Sequence, residues 1–346
     1  MPSLTLRGLV ALSVAVLGMG MCGCTEKGEP HAGPGGVAKA GTTRPEPSRT
    51  VGRRVVPRVP KGVRAGYMVF DRETGKVTAQ HNAHGTVRSA SVVKILIALD
   101  HLERSGGRAV PAGDLALLRG MLRSSDDGAA TALWNRGGRG AIVTRMVRRL
   151  RLADTAPPPA SRPGYWGYTA ISAYDVVKTY RYLLEKAPER TRRFVLGELR
   201  RATRCGKDGF DQYFGIPRAL PRPWAVKQGW SGFGTVPDEP CGGATANGLR
   251  LRPMAGAEPG AMAAPEPGLR PEPVSAAGPG AVAAPGAAAA PDLGLGRPVL
   301  HTTGTVGEGD RRIVVVLTLH PAGGSFRMAA TRLTELTGQV FRAGGG

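Results

Sequence analysis

The sequence predicts an α/β (α+β) sandwich in which both ends of the chain form one antiparallel sheet and a helical subdomain lies between them. Three observations predict it. Two short β-rich runs in Val63–Gln80 flank a turn, and helical patterns fill the next stretch up to Leu199. Two further β-rich runs, Val299–Val306 and Arg312–His320, then precede a final helix. With 346 residues, of which 41% are hydrophobic, the chain can form a sizeable core.

Hydrophobic periodicity locates the individual elements. Ser89 or Ser91 can cap the first helix. The run from Val92 to Leu99 is apolar almost all round, which is typical of a helix inside a core. The predicted elements are the hairpin turn Asp71–Gly75, helices Ser91–Arg104, Leu115–Leu122, Gly128–Trp134 and Ala141–Leu152, the proline-rich loop Thr155–Gly164, a helix from Ser172, helix Phe194–Leu199, strand Trp224–Trp230 and helix Ser325–Phe341.

The first 24 residues resemble a bacterial export signal. Arg7 gives a basic start, and the apolar centre Leu9–Leu17 is too short for a retained membrane helix. The end, Met21-Cys22-Gly23-Cys24, resembles a lipobox, so Cys24 is the predicted lipidation site. The sequence therefore predicts a lipoprotein on the outer face of the cell membrane, with plain secretion or a retained signal as the alternatives.

Two segments have the composition of unstructured chain. Residues 25–62 carry Gly, Pro, Lys and Arg with little periodicity, which predicts a flexible tether. Pro253–Pro298 is almost entirely Ala, Gly and Pro, which cannot form a packed core and predicts a disordered insertion. The predicted folded domain spans residues 63–346 and is interrupted by this insertion.

Four cysteines are present, and two of them lie in the signal. The remaining pair, Cys205 and Cys241, can form a disulfide in an exported protein and would close a loop around Lys227, although the sequence leaves open whether they meet. His81 and His84 are three apart, but no cysteine or carboxylate cluster accompanies them, so we predict no metal site and no cofactor.

The net charge is +21, from 47 Lys and Arg against 26 Asp and Glu. No zinc-finger spacing or RNA-binding aromatic motif accompanies this charge, so nucleic acid is not a predicted partner. An exported basic protein meets anionic lipids and wall polymers instead. The alternative is that most of the arginines simply cover solvated faces.

Ser91 and Lys94 stand three residues apart, which places them on one face of a helix. A lysine among apolar neighbours is desolvated, and desolvation makes its neutral amine available as a base towards a nearby hydroxyl. The pair alone is weak evidence, because Ser-x-x-Lys occurs by chance about once in a chain of this length.

Two further motifs follow in order: Ser125-Asp126-Asp127 and Lys227-Gln228-Gly229. Together with Ser91-x-x-Lys94, they resemble the three motifs of serine β-lactamases and penicillin-binding proteins, closest to the class A β-lactamase-like branch. The resemblance covers about Val63–Arg252 and Val299–Phe341. It implies an antiparallel sheet with a helical subdomain.

The resemblance also implies a role for each motif residue. Ser91 would be the nucleophile, Lys94 its activating base, and Ser125 the relay that passes a proton to the leaving nitrogen. Backbone N–H groups of Ser91 and of the Lys227 strand would bind the oxyanion. Alternatively, Ser125 could only cap the next helix, and Lys227 could be a solvated strand lysine. The predicted substrate-binding residues are Asp127, Lys227, Gln228 and Gly229.

Three departures from the family pattern bear on activity. Asp127 replaces an asparagine, so an ionised carboxylate that only accepts hydrogen bonds stands in place of a donor. Gln228 replaces the usual Thr or Ser. The segment Leu152–Ala173 contains no glutamate, and its only acid is Asp154. A class A enzyme uses a glutamate there to activate the deacylating water, so we expect slow deacylation.

These observations predict a serine hydrolase that forms an acyl-enzyme on Ser91 with a β-lactam or a D-Ala-D-Ala-type peptide. A D-Ala-D-Ala peptidase or penicillin-binding protein is a close alternative, favoured by the missing glutamate. A catalytically degenerate lipoprotein that binds surface partners is the non-enzymatic alternative, because a fold does not guarantee its usual chemistry.

Overall fold

The computed structural model describes residues 55–242 and 293–346. Five antiparallel strands form one sheet in the order β2-β1-β7-β6-β5. The first and last parts of the described chain meet at its centre, where β1 pairs with β7, which confirms the predicted sheet built from both chain ends. The strands are β1 Arg64–Asp71, β2 Lys76–His81, β5 Trp224–Ser231, β6 Val299–Val306 and β7 Arg312–Leu319. A separate two-stranded ladder pairs β3 Val87–Arg88 with β4 Ala170–Ile171.

The helices form two unequal groups, one large and one small. Helices α1–α6 enclose most of the larger hydrophobic cluster, and α7 and α8 contribute to the smaller one. No helix in the described ranges is both long and apolar enough to cross a membrane. The helices are α1 Lys94–Arg104, α2 Ala112–Arg123, α3 Asp127–Arg136, α4 Gly140–Leu150, α5 Ala173–Glu185, α6 Glu189–Arg200, α7 Ile216–Ala219 and α8 Phe326–Ala343.

The sheet separates the two cores because successive strand residues point to opposite faces. In β7, Ile313, Val315 and Leu317 pack with the helices α1–α6, whereas Val314 and Val316 pack with α8. Both faces of this strand are buried, so residues 313–317 are all apolar rather than alternating with polar ones. The same alternation in β5 decides which of its side chains can reach the candidate site.

The start of the first helix differs from the prediction. A short 3-10 helix, Ala90–Val93, precedes α1, and no side chain caps either helix. Ser91 therefore lies in the 3-10 helix that precedes α1, not at the start of the α-helix. The predicted cap from Ser89 or Ser91 is wrong. The helix predicted from Ser172 is present as α5, and Ser172 caps it, since its hydroxyl accepts from the Asp175 N–H at 3.1 Å.

The described ends of the two predicted unstructured segments make tertiary contacts. Near the end of the predicted tether, the Arg58 N–H donates to Gln339 at 2.8 Å and Val59 packs against the smaller core. Near the end of the predicted insertion, Leu293 is buried and its carbonyl accepts from the Arg88 N–H. Composition alone does not register these tertiary contacts. The rest of both segments, and the signal with Cys24, lie outside the described residues.

Candidate active site

Ser91 lies in the 3-10 turn between β3 and α1 and is 5% exposed. The preceding residue, Ala90, has a φ of +42°, a left-handed conformation that costs energy for a residue with a Cβ. Within residues 55–242 and 293–346, the Ser91 hydroxyl forms no hydrogen bond with another residue. Strain of this kind next to an unengaged hydroxyl is typical of functional turns.

Lys94 is the first residue of α1, and its side chain is fully buried. Its Nζ donates to Asp127 Oδ1 at 2.5 Å and to the Ser125 carbonyl at 2.6 Å, and it lies 4.6 Å from the centre of the Trp166 ring. Burial lowers the pKa of Lys94, and the charge and hydrogen bond of Asp127 oppose that shift. The predicted desolvated lysine is therefore present, but it has a carboxylate partner.

Ser125 lies between α2 and α3 with a φ of +57°. Its hydroxyl accepts a short hydrogen bond from the Lys227 ammonium. The next residue, Asp126, provides the cap of α3 by accepting from the Ala129 N–H at 2.9 Å. Ser125 is thus not the helix cap, and its hydroxyl is directed at the second buried lysine.

Lys227 lies on the edge strand β5 and is 1% exposed. Ala225, two residues earlier, packs in the core of the helices α1–α6, so Lys227 points to the same side of the sheet. Burial and the charge of Lys94 lower the pKa of Lys227 well below its ordinary value. This lysine is not a solvated strand lysine.

Gln228 does not join this cluster. Its side chain lies on the opposite face of β5, where its amide donates to the Phe214 carbonyl, and it is 2% exposed. Among residues 55–242 and 293–346, no group donates to its buried Oε1. Strand alternation favours this orientation, in which the Gln228 side chain points away from Lys227, and a substrate-binding role for Gln228 stays a prediction.

Gly229 brings β5 against the turn that carries Ser91. A Cβ at this position would lie 3.0 Å from the Ser89 carbonyl oxygen and 3.3 Å from the Ser91 backbone nitrogen. Only glycine permits this approach without a shift in the backbone. The backbones of Ser91 and β5 consequently lie side by side, as a two-donor oxyanion site requires.

The segment Leu152–Ala173 presents an aromatic ring to the cluster rather than a carboxylate. Trp166, buried at 1% exposure, packs against Lys94 and donates its indole N–H to the Thr131 hydroxyl at 3.2 Å. Asp154, the only acid in the segment, is held by His84 at 2.8 Å and by Ser172 at 2.7 Å. The Trp166 contact joins residues far apart in sequence, so periodicity could not predict it.

A second carboxylate near the cluster, Asp208, was also missed by the sequence analysis. Its oxygens accept from the Trp230 indole at 2.9 Å and the Phe210 N–H at 3.2 Å, and its charge acts on Lys94, Lys227 and Asp127. Although the residue as a whole is exposed, desolvation of its carboxyl group raises the pKa of Asp208. Asp208 belongs to none of the three sequence motifs, and its approach to the cluster depends on the tertiary fold.

The Asp208 loop is fastened at two places. Cys205 and Cys241 form a disulfide, with their Cα atoms 5.4 Å apart. The Lys207 N–H donates to the Ser124 carbonyl at 2.7 Å, which ties the loop to the segment that leads into Ser125. The disulfide therefore holds the chain after β5 against a loop that borders the cluster.

A buried histidine supports the Ser91 turn from below. His301 on β6 is fully buried, and its Nδ1 accepts from the Thr318 N–H, so Nε2 carries the proton and donates to the Arg88 carbonyl at 2.9 Å. Burial lowers the pKa of His301 to about 4. His301 is therefore neutral at physiological pH and serves to fix the strand before Ser91.

In chemical terms, the cluster combines a hydroxyl on a strained turn, two buried lysines and a second hydroxyl between them. The parts suit acyl transfer to a serine. His84 is engaged with Asp154, and no group of three or more His, Cys, Asp or Glu side chains in the described ranges could hold a metal ion.

No family model matches the sequence. Among curated proteins, the chain is 39% identical over 175 residues to proteins named "Putative lipoprotein LppW" from Mycobacterium tuberculosis and Mycobacterium bovis. That match covers 49% of this chain, and the chain spans about half (54%) of the length of these relatives.

Solved structures resemble the chain over most of its length. A class A β-lactamase from Mycobacterium abscessus matches with a TM-score of 0.51 and 17% identity, covering 82% of this chain and 95% of that one. PBP-A matches with a TM-score of 0.51 and 13% identity, covering 82% and 91%. A variant of PBP-A in an acyl-enzyme complex with penicillin G matches with a TM-score of 0.52 and 14% identity, covering 82% and 90%. The chain has the serine β-lactamase/transpeptidase fold.

Proposed function

We propose that this protein is a serine acyl-transfer enzyme that forms a long-lived acyl-enzyme on Ser91 with β-lactams or D-Ala-D-Ala-type peptides. The observation that carries the proposal is the continuous chain of contacts from Lys94 through Ser125 to Lys227, beside the Ser91 turn. Burying two lysines at this point costs free energy, because burial disfavours their charged form. Buried and perturbed ionisable groups of this kind are typical of functional sites.

In the proposed reaction, Ser91 Oγ attacks the lactam or peptide carbonyl and Lys94, as the neutral amine, takes its proton. The oxyanion is stabilised by the backbone N–H of Ser91 and one on the β5 strand beside it. The C–N bond then breaks as Ser125 passes its hydroxyl proton to the leaving nitrogen. The Lys94 ammonium returns its proton to Ser125, so both groups regain their starting protonation state. Lys227 keeps Ser125 in place and offers positive charge to the carboxylate of the substrate.

Slow release of the acyl group from Ser91 follows from the residues of the segment Leu152–Ala173 that pack near Lys94. Hydrolysis of the ester needs a base to activate water. The described residues of the segment Leu152–Ala173 offer an indole ring at Lys94, and Asp154 is engaged with His84 and Ser172. This favours a penicillin-binding or peptidase-type site over an efficient β-lactamase.

A second candidate is a degenerate protein that binds surface partners without catalysis. The Lys94–Asp127 ion pair favours it, because a carboxylate in contact stabilises the ammonium form and depletes the neutral base. The net charge of +21 suits anionic wall polymers or lipid headgroups as partners.

We also propose that the protein is exported and anchored to the outer face of the cell membrane through a lipid on Cys24. The lipobox-like Met21–Cys24 and the name of the LppW relatives support this. Metabolic labelling with a clickable fatty acid, compared between wild type and Cys24→Ala, tests it. Equal labelling of both would contradict it.

The test of the acylation proposal is adduct mapping. The full chain, purified in detergent, is incubated with penicillin G, digested and sequenced by mass spectrometry. We expect one adduct, on the peptide that contains Ser91, and none in Ser91→Ala. An adduct on another residue, or none under any condition, would overturn the proposal, the latter in favour of the binding protein.

A further inference from the structure

Asp127 has one oxygen in the lysine network and one outside it. Oδ1 accepts from the Lys94 Nζ at 2.5 Å, and the side chain is 38% exposed. No side chain or backbone group within 55–242 and 293–346 donates to Oδ2. An ionised carboxylate oxygen can only accept, so a ligand group that meets it must be a donor.

Asp208 adds a second negative charge at the same place. Its interaction with Asp127 is repulsive and its interactions with Lys94 and Lys227 are attractive. Two buried lysines are thus balanced by two carboxylates on different elements, α3 and the disulfide-bonded loop. The two carboxylates are the exposed charges of this cluster, whereas both lysines are buried.

We propose that Asp127 makes the candidate site selective for acyl donors that carry a protonated amine in addition to their carboxylate. The inference rests on the proposed function and specifies its substrate class. The carboxylate of such a zwitterionic ligand is attracted by Lys227, while its ammonium group donates to the outer oxygen of Asp127. A ligand that presents only a carbonyl oxygen to Asp127 is repelled.

The size of the selectivity follows from the exposure of Asp127. A partly exposed ion pair contributes little because water screens it. We expect a preference of about fivefold, equivalent to ~1 kcal/mol, for the amine-bearing ligand. The direction is set by Asp127, with a smaller contribution from Asp208, whose oxygens already accept two hydrogen bonds.

Three penicillins isolate the amine. Ampicillin carries an α-amino group that penicillin G lacks, and N-acetylampicillin keeps the bulk of ampicillin without its charge. The rate of adduct formation is measured by intact mass for each ligand at neutral pH. In the wild type, we expect the ratio of ampicillin to N-acetylampicillin to be about fivefold. In Asp127→Asn, which preserves shape, the ratio should fall to about one or below.

Equal rates for the two ligands in the wild type, or a ratio unchanged by Asp127→Asn, would overturn the inference. Asp208→Asn is the matched control and should keep most of the preference. Binding of the same ligands to Ser91→Ala, measured by calorimetry, should show the same ratio without chemistry. If no adduct forms, the proposed function fails on its own, and this binding ratio still decides the inference.

Discussion

Lys94 and Lys227 are both fully buried and both contact Ser125, but their surroundings differ in charge. Lys94 has an ionised partner in contact, Asp127, and an aromatic ring over it. Within the described part of the chain, Lys227 donates to the Ser125 hydroxyl and to the Gln228 carbonyl and has no carboxylate in hydrogen-bond contact. A carboxylate stabilises an ammonium ion and a hydroxyl does so far less. The comparison indicates that the pKa of Lys227 is lowered the more strongly, although the proposed base is Lys94.

The largest expected effect separates the roles of the two lysines. Lys94→Met should slow acylation of Ser91 by penicillin G by about 10²–10⁴-fold, the range for loss of a general base. Lys227→Met should slow it by only ~10–100-fold, since it removes one charge-assisted contact to the substrate carboxylate. Stopped-flow mixing with mass detection of the adduct measures both rates.

The reverse order of these two effects would break the comparison. It would identify Lys227, acting through Ser125, as the base and leave Lys94 as an ion-paired structural cation. Unchanged circular dichroism spectra of both variants are the necessary control for folding.

A smaller effect is expected when Asp127 is neutralised. Asp127→Asn removes the charge that holds Lys94 as an ammonium ion, so the pKa of Lys94 should fall further. The rate of acylation by penicillin G should then begin its rise at lower pH. At neutral pH the rate should increase on the order of fivefold, as expected for loss of an ion pair of ~1 kcal/mol.

The pH–rate profile of acylation measures this shift. Asp208→Asn is the control, and it should shift the profile less because Asp208 does not hydrogen-bond to Lys94. A profile that moves to higher pH in Asp127→Asn would show that Asp127 assists the base instead of suppressing it.

The smallest expected effect concerns stability. Because the folded-state pKa of Lys227 lies below its unfolded value, the folded protein binds fewer protons between those two pKa values. Its contribution to the free energy of unfolding therefore increases as pH rises towards about 10.4, the ordinary lysine pKa. In urea titrations, the unfolding free energy of the wild type minus that of Lys227→Met should become more positive as pH rises.

The same titrations sharpen the comparison of the two lysines. Lys94→Met should show a shallower dependence, because Asp127 offsets part of the desolvation of Lys94. A flat difference for Lys227→Met would contradict the desolvation of that side chain.

The strands and the longer helices could be predicted because their periodicity is local. The motif residues could be predicted because short spacings, such as the three positions from Ser91 to Lys94, are visible in the sequence itself. What could not be predicted depends on contacts across the fold. The packing of Trp166 against Lys94 and the approach of Asp208 join segments that are distant in sequence.

Other features that differ from the sequence predictions follow partly from local rules of strand and helix geometry. Strand alternation places the side chains of Lys227 and Gln228 on opposite faces of β5. It therefore argues against both side chains binding one substrate. Asp126 is as good a helix cap as Ser125, and the positive φ of Ser125 has no sequence signature outside glycine. Composition does not register the burial of Leu293, because that burial depends on tertiary partners.

The most direct test of the central claim is the lifetime of the acyl-enzyme. Full-length protein is acylated with penicillin G, freed of excess ligand by rapid desalting, and followed by intact mass over several hours. We predict that the adduct on Ser91 persists, because the segment Leu152–Ala173 places the Trp166 ring against Lys94 and its only acid, Asp154, is engaged by His84 and Ser172. Decay within minutes with release of the hydrolysed penicillin would contradict the account and require a base that the described residues do not reveal.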